Sequence, residues 1–252
     1  MNLLAVENLS KNFNGFTALH KVDLRVRPGK IHSLIGPNGA GKTTLINIIS
    51  GILTATTGKI NFESRQIGGL RPDKIASLGI GRTFQNIRLF KTLTVIENVM
   101  VGQHCRTKAG FVQTFFRLPF RTLEEERQIR SKARELLDFV GLSDRQQDQS
   151  GSLPYGSQRR LEIARALGTE PSLILLDEPC AGMNSRETAQ LADLILKIRD
   201  RGVTILLIEH DMNLVMRISD FITVLNFGVN IAEGRPDEIR SSPAVIEAYL
   251  GG

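Results

Sequence analysis

Nine residues carry the clearest chemical instruction in this sequence: Gly36-Pro37-Asn38-Gly39-Ala40-Gly41-Lys42-Thr43-Thr44. They fit G-x-x-x-x-G-K-[ST], the spacing of a loop that wraps a phosphate chain. Glycines let the backbone turn tightly and bring its N–H groups against an anion. A helix beginning at such a loop adds partial positive charge. At this spacing Lys42 can reach the β- and γ-phosphates of a nucleoside triphosphate, and the Thr43 hydroxyl can ligate Mg²⁺. Further along, Asp177-Glu178 closes the apolar run Leu173-Ile174-Leu175-Leu176. A carboxylate at Asp177 can hold the same Mg²⁺ through water. Glu178, one residue on, can orient and deprotonate an attacking water. His210 follows the next apolar run and is placed to contact a γ-phosphate. Gln85 lies in a loop where its amide can sense the γ-phosphate, the metal or the water.

These groups need a frame, and the hydrophobic pattern supplies one. Lys30 to Ile35 is a short apolar run that reads as a buried strand before the loop. Leu45, Ile46, Ile48 and Ile49 then recur at helical spacing and Gly51 ends the helix. Upstream, Leu4, Val6, Val22, Leu24 and Val26 alternate with polar neighbours, the pattern of paired strands with one wet face. Phe13 and Phe16 flank Asn14-Gly15; either ring can stack on a purine or pack into the core. Thr56-Thr57-Gly58 reads as a turn before a strand at 59–63, and Pro72 opens a short helix. From Thr94 to Ala166 almost nothing reads as strand. Thr94 and Glu97 suit a capped helix start, and 123–140 is amphipathic, with Ile129, Ala133, Leu136, Leu137 and Val140 on one face. Strands then resume at 173–176 and 203–208, around a helix at 185–200 with a capping box at Asn184 and Glu187. A hairpin at 221–233 and terminal helices follow. Apolar strands alternating with helices predict a parallel sheet, whose ligands sit at the carboxyl ends of its strands.

Composition restricts the function classes. At 252 residues the chain can bury a large core. Charged and polar residues break every apolar run that might cross a bilayer. Met1 to Phe13 lacks a basic start and apolar middle, so a cytosolic chain is expected. The net charge of +6 suits a nucleotide, nucleic acid or an anionic surface, and equally solubility alone. Cys105 and Cys180 lie far apart, which predicts packed thiols rather than a metal site or disulfide. His20, His32 and His104 read as structural or solvated.

Taken together the residues resemble the ATP-binding cassette (ABC) ATPases, over essentially the whole chain. The parts are the phosphate loop at 36–44, Gln85 as the Q-loop, Leu153-Pro154-Tyr155-Gly156-Ser157-Gln158 at the signature, Asp177-Glu178 as the Walker B pair, Ala181-Gly182-Met183-Asn184 as the D-loop and His210 as the switch histidine. More narrowly, the chain is similar to one of the two ATPase subunits of branched-chain amino-acid importers. That likeness is carried by Tyr155-Gly156-Ser157-Gln158-Arg159-Arg160-Leu161-Glu162-Ile163-Ala164-Arg165, by Glu178-Pro179-Cys180-Ala181-Gly182-Met183-Asn184, and by Ile208-Glu209-His210-Asp211-Met212 with Asn226 to Gly234. Urea, amide and aromatic-acid importers use closely similar ATPases.

The resemblance implies an α/β phosphate-loop NTPase (RecA-like) core with a parallel sheet, an antiparallel β subdomain and an inserted α-helical subdomain. Residues 1–84 and 166–252 would form the core, and 85–165 the helical part. It implies ATP and Mg²⁺ as cofactors. Catalysis would use Glu178, His210, Gln85 and Lys42, with metal contacts from Thr43, Gln85 and, through water, Asp177. Nucleotide would lie on Gly36, Pro37, Asn38, Gly39, Ala40, Gly41, Lys42, Thr43, Thr44 and Phe13. Two ATPase subunits, alike or different, would pair head to tail, so that Gly156 and Ser157 face the partner's ATP. Integral membrane permease subunits would dock near 86–90 and 93–105, with a substrate-binding protein as an indirect partner, no nucleic acid, and a location at the inner face of the cell membrane.

Two positions depart from the family pattern. Pro154 stands where a serine hydroxyl is usual and offers neither a hydroxyl nor an N–H. Asn184 replaces an aspartate but keeps the ability to cap a helix. Residues 85–165 are too short for the coiled coil of a chromosome-maintenance or repair ATPase. No second phosphate loop marks a two-cassette translation factor.

Overall fold

The runs that read as buried strands do form a sheet. In the computed structural model, residues 2–103 and 119–250 are described. His104, Cys105 and the end of the expected docking segment at 104–105 lie outside the described residues. The chain divides into two compact units, Met1–Gln85 with Ser172–Gly252, and Asn86–Pro171. Its strands in chain order are β1 (Leu4–Phe13), β2 (Phe16–Val26), β3 (Ile31–Ile35), β4 (Thr57–Phe62), β5 (Arg65–Gln66), β6 (Ile80–Arg82), β7 (Leu173–Asp177), β8 (Thr204–Ile208), β9 (Phe221–Asn226) and β10 (Val229–Gly234). Its helices are α1 (Lys42–Ile49), α2 (Pro72–Ser77), α3 (Val95–Gln103), α4 (Pro119–Phe139), α5 (Tyr155–Leu167), α6 (Ser185–Asp200), α7 (Met212–Ile218), α8 (Pro236–Arg240) and α9 (Pro243–Leu250).

In the first unit a six-stranded sheet runs β10-β9-β3-β8-β7-β6. Neighbours from β9 to β6 are parallel, and β10 returns antiparallel on β9. Every residue of β3, β7 and β8 is buried, as a sheet covered on both faces requires. A smaller antiparallel sheet, β2-β1-β4-β5, alternates buried and exposed positions. Its inward Leu4, Val6, Leu24 and Val26 share one core with Leu45, Ile46 and Ile49 of α1 and with Leu173 and Leu206 of the parallel sheet. The Asn230 carboxamide joins the two sheets. It accepts from Asp23 N–H at 3.0 Å and donates to Asp23 C=O at 2.9 Å, standing in for a missing ladder pair.

One expected turn is a strand. Thr57 and Gly58 open β4, with an irregular register against β1 between Glu7 and Ser10. Gly58 has φ +100°, and a Cβ there would lie 2.6 Å from Leu9 Cα. The glycine that suggested a turn instead allows a bulged strand to lie close against β1. The Asn184 capping box on α6 is present: its side chain accepts from Arg186 and Glu187 N–H, and Glu187 accepts from Asn184 N–H. Such a cap contributes about 1 kcal/mol.

His32 is structural. It is 1% exposed, and its Nε2 lies 2.8 Å from Thr223 Oγ1. Burial, helped by Arg27, pushes its pKa down to about 4. The folded state therefore refuses a proton that the unfolded state accepts. Its contribution is intact above pH 6.5 and is lost as pH falls toward 4, where it levels off. A shift of this size corresponds to about 3 kcal/mol. Urea unfolding at pH 7 and pH 4 should show wild type losing about that much more stability than His32→Gln; equal losses would remove His32 from the account.

The second unit is helical. Thr94 and Glu97 form the expected box at the start of α3. Gly102 lets α3 cross α5 closely, since a Cβ there would sit 2.1 Å from Arg165 C=O. On α4, Ala133 and Leu137 are fully buried and Ile129 and Leu136 half-buried, as the amphipathic pattern predicts. The buried Asn98 accepts from Phe90 N–H at 3.0 Å and donates to Phe90 and Thr94 C=O, fastening the 90–94 loop onto α3.

Candidate nucleotide-hydrolysis site

The phosphate loop leaves β3 and enters α1, and its shape depends on glycine at particular points. Gly36 has φ +150°, and a Cβ there would lie 2.1 Å from Leu225 C=O of β9. Gly41 is the N-cap of α1 at φ +99°, packed on Ala18 and Leu19 of β2. The amides of Gly39, Gly41, Lys42, Thr43 and Thr44 have no hydrogen-bond acceptor among the described residues. Lys42 is 7% exposed and folds back over the loop, donating to Gly36 C=O at 2.6 Å and Pro37 C=O at 2.8 Å. Burial lowers its pKa, while the Glu178 and Asp177 carboxylates act in the opposite sense. A cradle of unpaired amides around a buried cation is matched to a polyphosphate.

Asp177 ends β7 beside it, and Glu178 follows. Asp177 is 2% exposed and accepts from Arg82 Nη2 at 3.2 Å. Arg82, at the end of β6, also donates to Asn47 Oδ1 at 2.8 Å and Ser50 Oγ at 2.5 Å, both on the α1 side of the loop. It therefore ties the candidate metal carboxylate to the phosphate-loop helix. Glu178 stands at φ +46°, uncommon for a residue with a Cβ and worth of order 1 kcal/mol or more in strain. Its N–H donates to Ile208 C=O at 3.0 Å, which holds that backbone in place. Its Oε2 accepts from Gln85 Nε2 at 2.8 Å. No group of three or more His, Cys, Asp or Glu suited to a metal lies among the described residues. Thr43 and Asp177 offer hard oxygen donors, which fit Mg²⁺ held largely by phosphate and water.

His210 follows β8 with its side chain 61% exposed. Its backbone is held by a residue the sequence reading missed. Glu209, 1% exposed, accepts from His210 N–H at 3.1 Å and from Cys180 N–H at 2.9 Å. One buried carboxylate thus pins the loop after β7 to the loop after β8. The available signal was an acidic residue directly after a largely apolar run, the same signal that marked Asp177. Glu209→Ala removes the acceptor shared by a buried and a part-buried amide and should cost about 2–4 kcal/mol by chemical denaturation. It should also slow ATP turnover, with Glu209→Gln between it and wild type. Unchanged stability and turnover in the alanine variant would remove the bridge from the site.

Phe13 and Phe16 face each other at the tip of the β1–β2 hairpin, 39% and 68% exposed. Neither is a core residue. Lys11 Nζ sits 4.7 Å from the Phe13 ring centroid. Thus Lys42, Gln85, Asp177 and Glu178 come together around the loop, while Phe13 stays at a hairpin tip.

In the second unit, Pro154 is the N-cap of α5, and its carbonyl accepts from Ser157 and Gln158 N–H. The Tyr155 and Gly156 amides have no acceptor among the described residues. Ser157 Oγ accepts from Arg160 Nη2 at 3.2 Å. Below this turn lies a fully buried ion pair, Arg159 Nη1 to Glu162 Oε2 at 2.7 Å. Glu162 also accepts from Arg88 N–H at 3.2 Å, and Arg159 donates to the Tyr155 hydroxyl at 3.3 Å.

Comparison with known proteins finds relatives over nearly the whole chain. The family model described as ABC transporter matches residues 19–181, and that described as branched-chain amino acid ATP-binding cassette transporter matches residues 229–252. The chain is 48% identical, over 99% of its length and 98% of the relative's, to the high-affinity branched-chain amino acid transport ATP-binding protein LivG of Salmonella typhimurium. It is 47% identical, with the same coverage, to BraF of Pseudomonas aeruginosa, which carries the same description. A nucleotide-free ATP-binding cassette from an ABC transporter superposes with a TM-score of 0.87 at 35% identity, covering all of both chains. The cassette MJ0796, solved as a dimer in a post-hydrolysis state bound to ADP and Pi, gives 0.78 at 26% identity over 92% of this chain and 98% of that one.

Proposed function

Because the chain belongs to the ABC transporter family, we propose that it is the ATP-hydrolysing subunit of an importer for branched-chain amino acids. The observation that carries the hydrolytic part is the set of unpaired amides of Gly39 and of Gly41 to Thr44 around Lys42, with Glu178 and Gln85 hydrogen-bonded beside it. Loop amides and Lys42 hold the β- and γ-phosphates and stabilise charge as the terminal phosphoryl is transferred. Glu178 takes the proton from the attacking water, and Gln85 orients that carboxylate. Arg82 and Glu209 keep Asp177 and the His210 loop in register. Thr43 and Asp177 would hold Mg²⁺, which when bound neutralises phosphate charge. His210 contacts the γ-phosphate.

The free amides of Tyr155 and Gly156 at the start of α5 suit the γ-phosphate of an ATP held by a second ATPase subunit. With Pro154 as cap, that contact uses backbone and helix dipole rather than a serine hydroxyl. Closure of the pair is then the work step and hydrolysis resets it. Separate permease subunits supply the membrane part; no described helix of this chain is long and apolar enough to cross a membrane. The 86–90 segment, with Phe90 half exposed, is their docking surface at the inner face of the membrane. Co-purification with the permease and binding-protein subunits, followed by ATPase assay in vesicles, tests the reading. Leucine, isoleucine or valine on the binding protein should raise turnover. Stimulation by urea, amides or aromatic acids alone would reassign the substrate, and absence of any ATPase would sink the function.

A further inference from the structure

At the other end of the parallel sheet from the phosphate loop lies a cavity of about 380 Å³, within the usual size range of small-molecule sites. It opens where β3 and β9 begin and where β2 and β10 end. Four cationic side chains, Arg25, Arg27, Lys30 and Arg235, line it with two acidic ones, Asp220 and Glu238. The acids are already engaged. Asp220 pairs with Lys30 at 3.3 Å and accepts from Ile31 N–H at 2.9 Å, and Glu238 accepts from Arg235 N–H at 2.7 Å. Arg25, Arg27 and Arg235 make no ion pair within 4 Å among the described residues. The Arg27 guanidinium lies 5.6 Å from the Phe221 ring centroid, held over an aromatic face that also borders the cavity. The buried His32 ring, tilted against Phe221 at 5.4 Å, lines it as well.

The geometry points to a second ligand site here, for a small organic oxyanion gripped by the forks of Arg25, Arg27 and Arg235. Guanidinium pairs suit phosphate and carboxylate alike, because both accept two parallel N–H bonds. Phe221 gives an apolar wall for the ligand's body. The site is joined to the nucleotide loop by covalent and hydrogen-bonded structure. His32 is the second residue of β3, and Gly36 follows the strand's end. Its partner Thr223 belongs to β9, whose hairpin with β10 donates Gly228 N–H to Ala40 C=O of the phosphate loop. An anion drawn toward His32 would also favour its protonated form, so occupancy can be read at a histidine distant from ATP.

Calorimetric titration of the full-length chain with inorganic pyrophosphate and, separately, with citrate tests the site. The Lys42→Ala variant serves as host, so that phosphate-loop binding is weakened, and the arginine variants assign the binding that remains. At least one probe should bind, and Arg27→Gln with Arg235→Gln should weaken it at least tenfold. Which probe binds separates phosphate from carboxylate. By NMR in the same host, a saturating probe should raise the His32 pKa, with His32→Gln identifying the signal among the four histidines. Should the double variant not fold, Arg25→Gln and Arg235→Gln are titrated singly, with at least a threefold loss expected in each. Absence of binding by both probes, binding indifferent to the arginines, or an unmoved His32 signal overturns the site.

Discussion

Glu178→Gln is expected to lower ATP hydrolysis by about 10²–10⁴-fold, the range supplied by a positioned general base, while ATP affinity stays within a few-fold of wild type. The two readouts separate because Glu178 lies beside the loop rather than in it. In the proposed reading, phosphate is held by the loop amides, which have no acceptor among the described residues, and by Lys42. Glutamine keeps the size of the side chain and can still meet the Gln85 amide now 2.8 Å from Glu178 Oε2, but it cannot take a proton from water. Single-turnover phosphate release and equilibrium nucleotide binding check the two halves. Turnover at half the normal rate would remove Glu178 as the base. Loss of ATP binding instead would mean that the residue shapes the loop.

The second large effect concerns folding of the helical unit. Glu162→Ala should destabilise it by about 3–5 kcal/mol, the cost of leaving a buried charge without its partner. Arg159 and Glu162 are both fully buried, so neither can turn to solvent. The joint replacement Arg159→Met with Glu162→Leu should recover much of that loss, since an apolar pair of similar volume needs no desolvation of charge. Hydrogen exchange along α5 with urea unfolding measures both. A single variant costing less than about 1 kcal/mol would place the pair on the ordinary surface scale. The double variant should still lower hydrolysis, because the bonds from the Arg88 amide to Glu162 and from Arg159 to the Tyr155 hydroxyl are lost beside the free amides of the signature turn.

The sequence was most legible where one physical rule dominates. Mostly apolar runs bounded by turns marked the central parallel strands, and capping chemistry located the starts of α3 and α6. The phosphate loop was legible because glycines and a lysine at fixed spacing serve one geometry. Gly58 misled because positive φ serves bulges as well as turns, and only the neighbouring β1 backbone decides between them. Arg82, Glu209 and the Arg159–Glu162 pair were missed for another reason. Each is a charged residue whose meaning lies in a partner distant in sequence or in burial that charge alone does not announce. Arg82 closes a three-residue strand, and Asp177 is reached only once β6 and β7 lie side by side.

The tip of the last hairpin sets a practical condition for watching this protein at work. Phe227 and Gly228 form a two-residue turn with φ +43° and +77°. Gly228 donates to Ala40 of the phosphate loop and accepts from His20 of the antiparallel sheet, and a Cβ there would lie 2.5 Å from Ala18 C=O. Exposed hairpin tips usually tolerate inserted tags; this one would transmit the insertion straight to the nucleotide loop. Phe227, by contrast, is 86% exposed. A dye carried on its side chain alone would travel with the loop while leaving every backbone partner in place, giving an optical handle on each catalytic cycle.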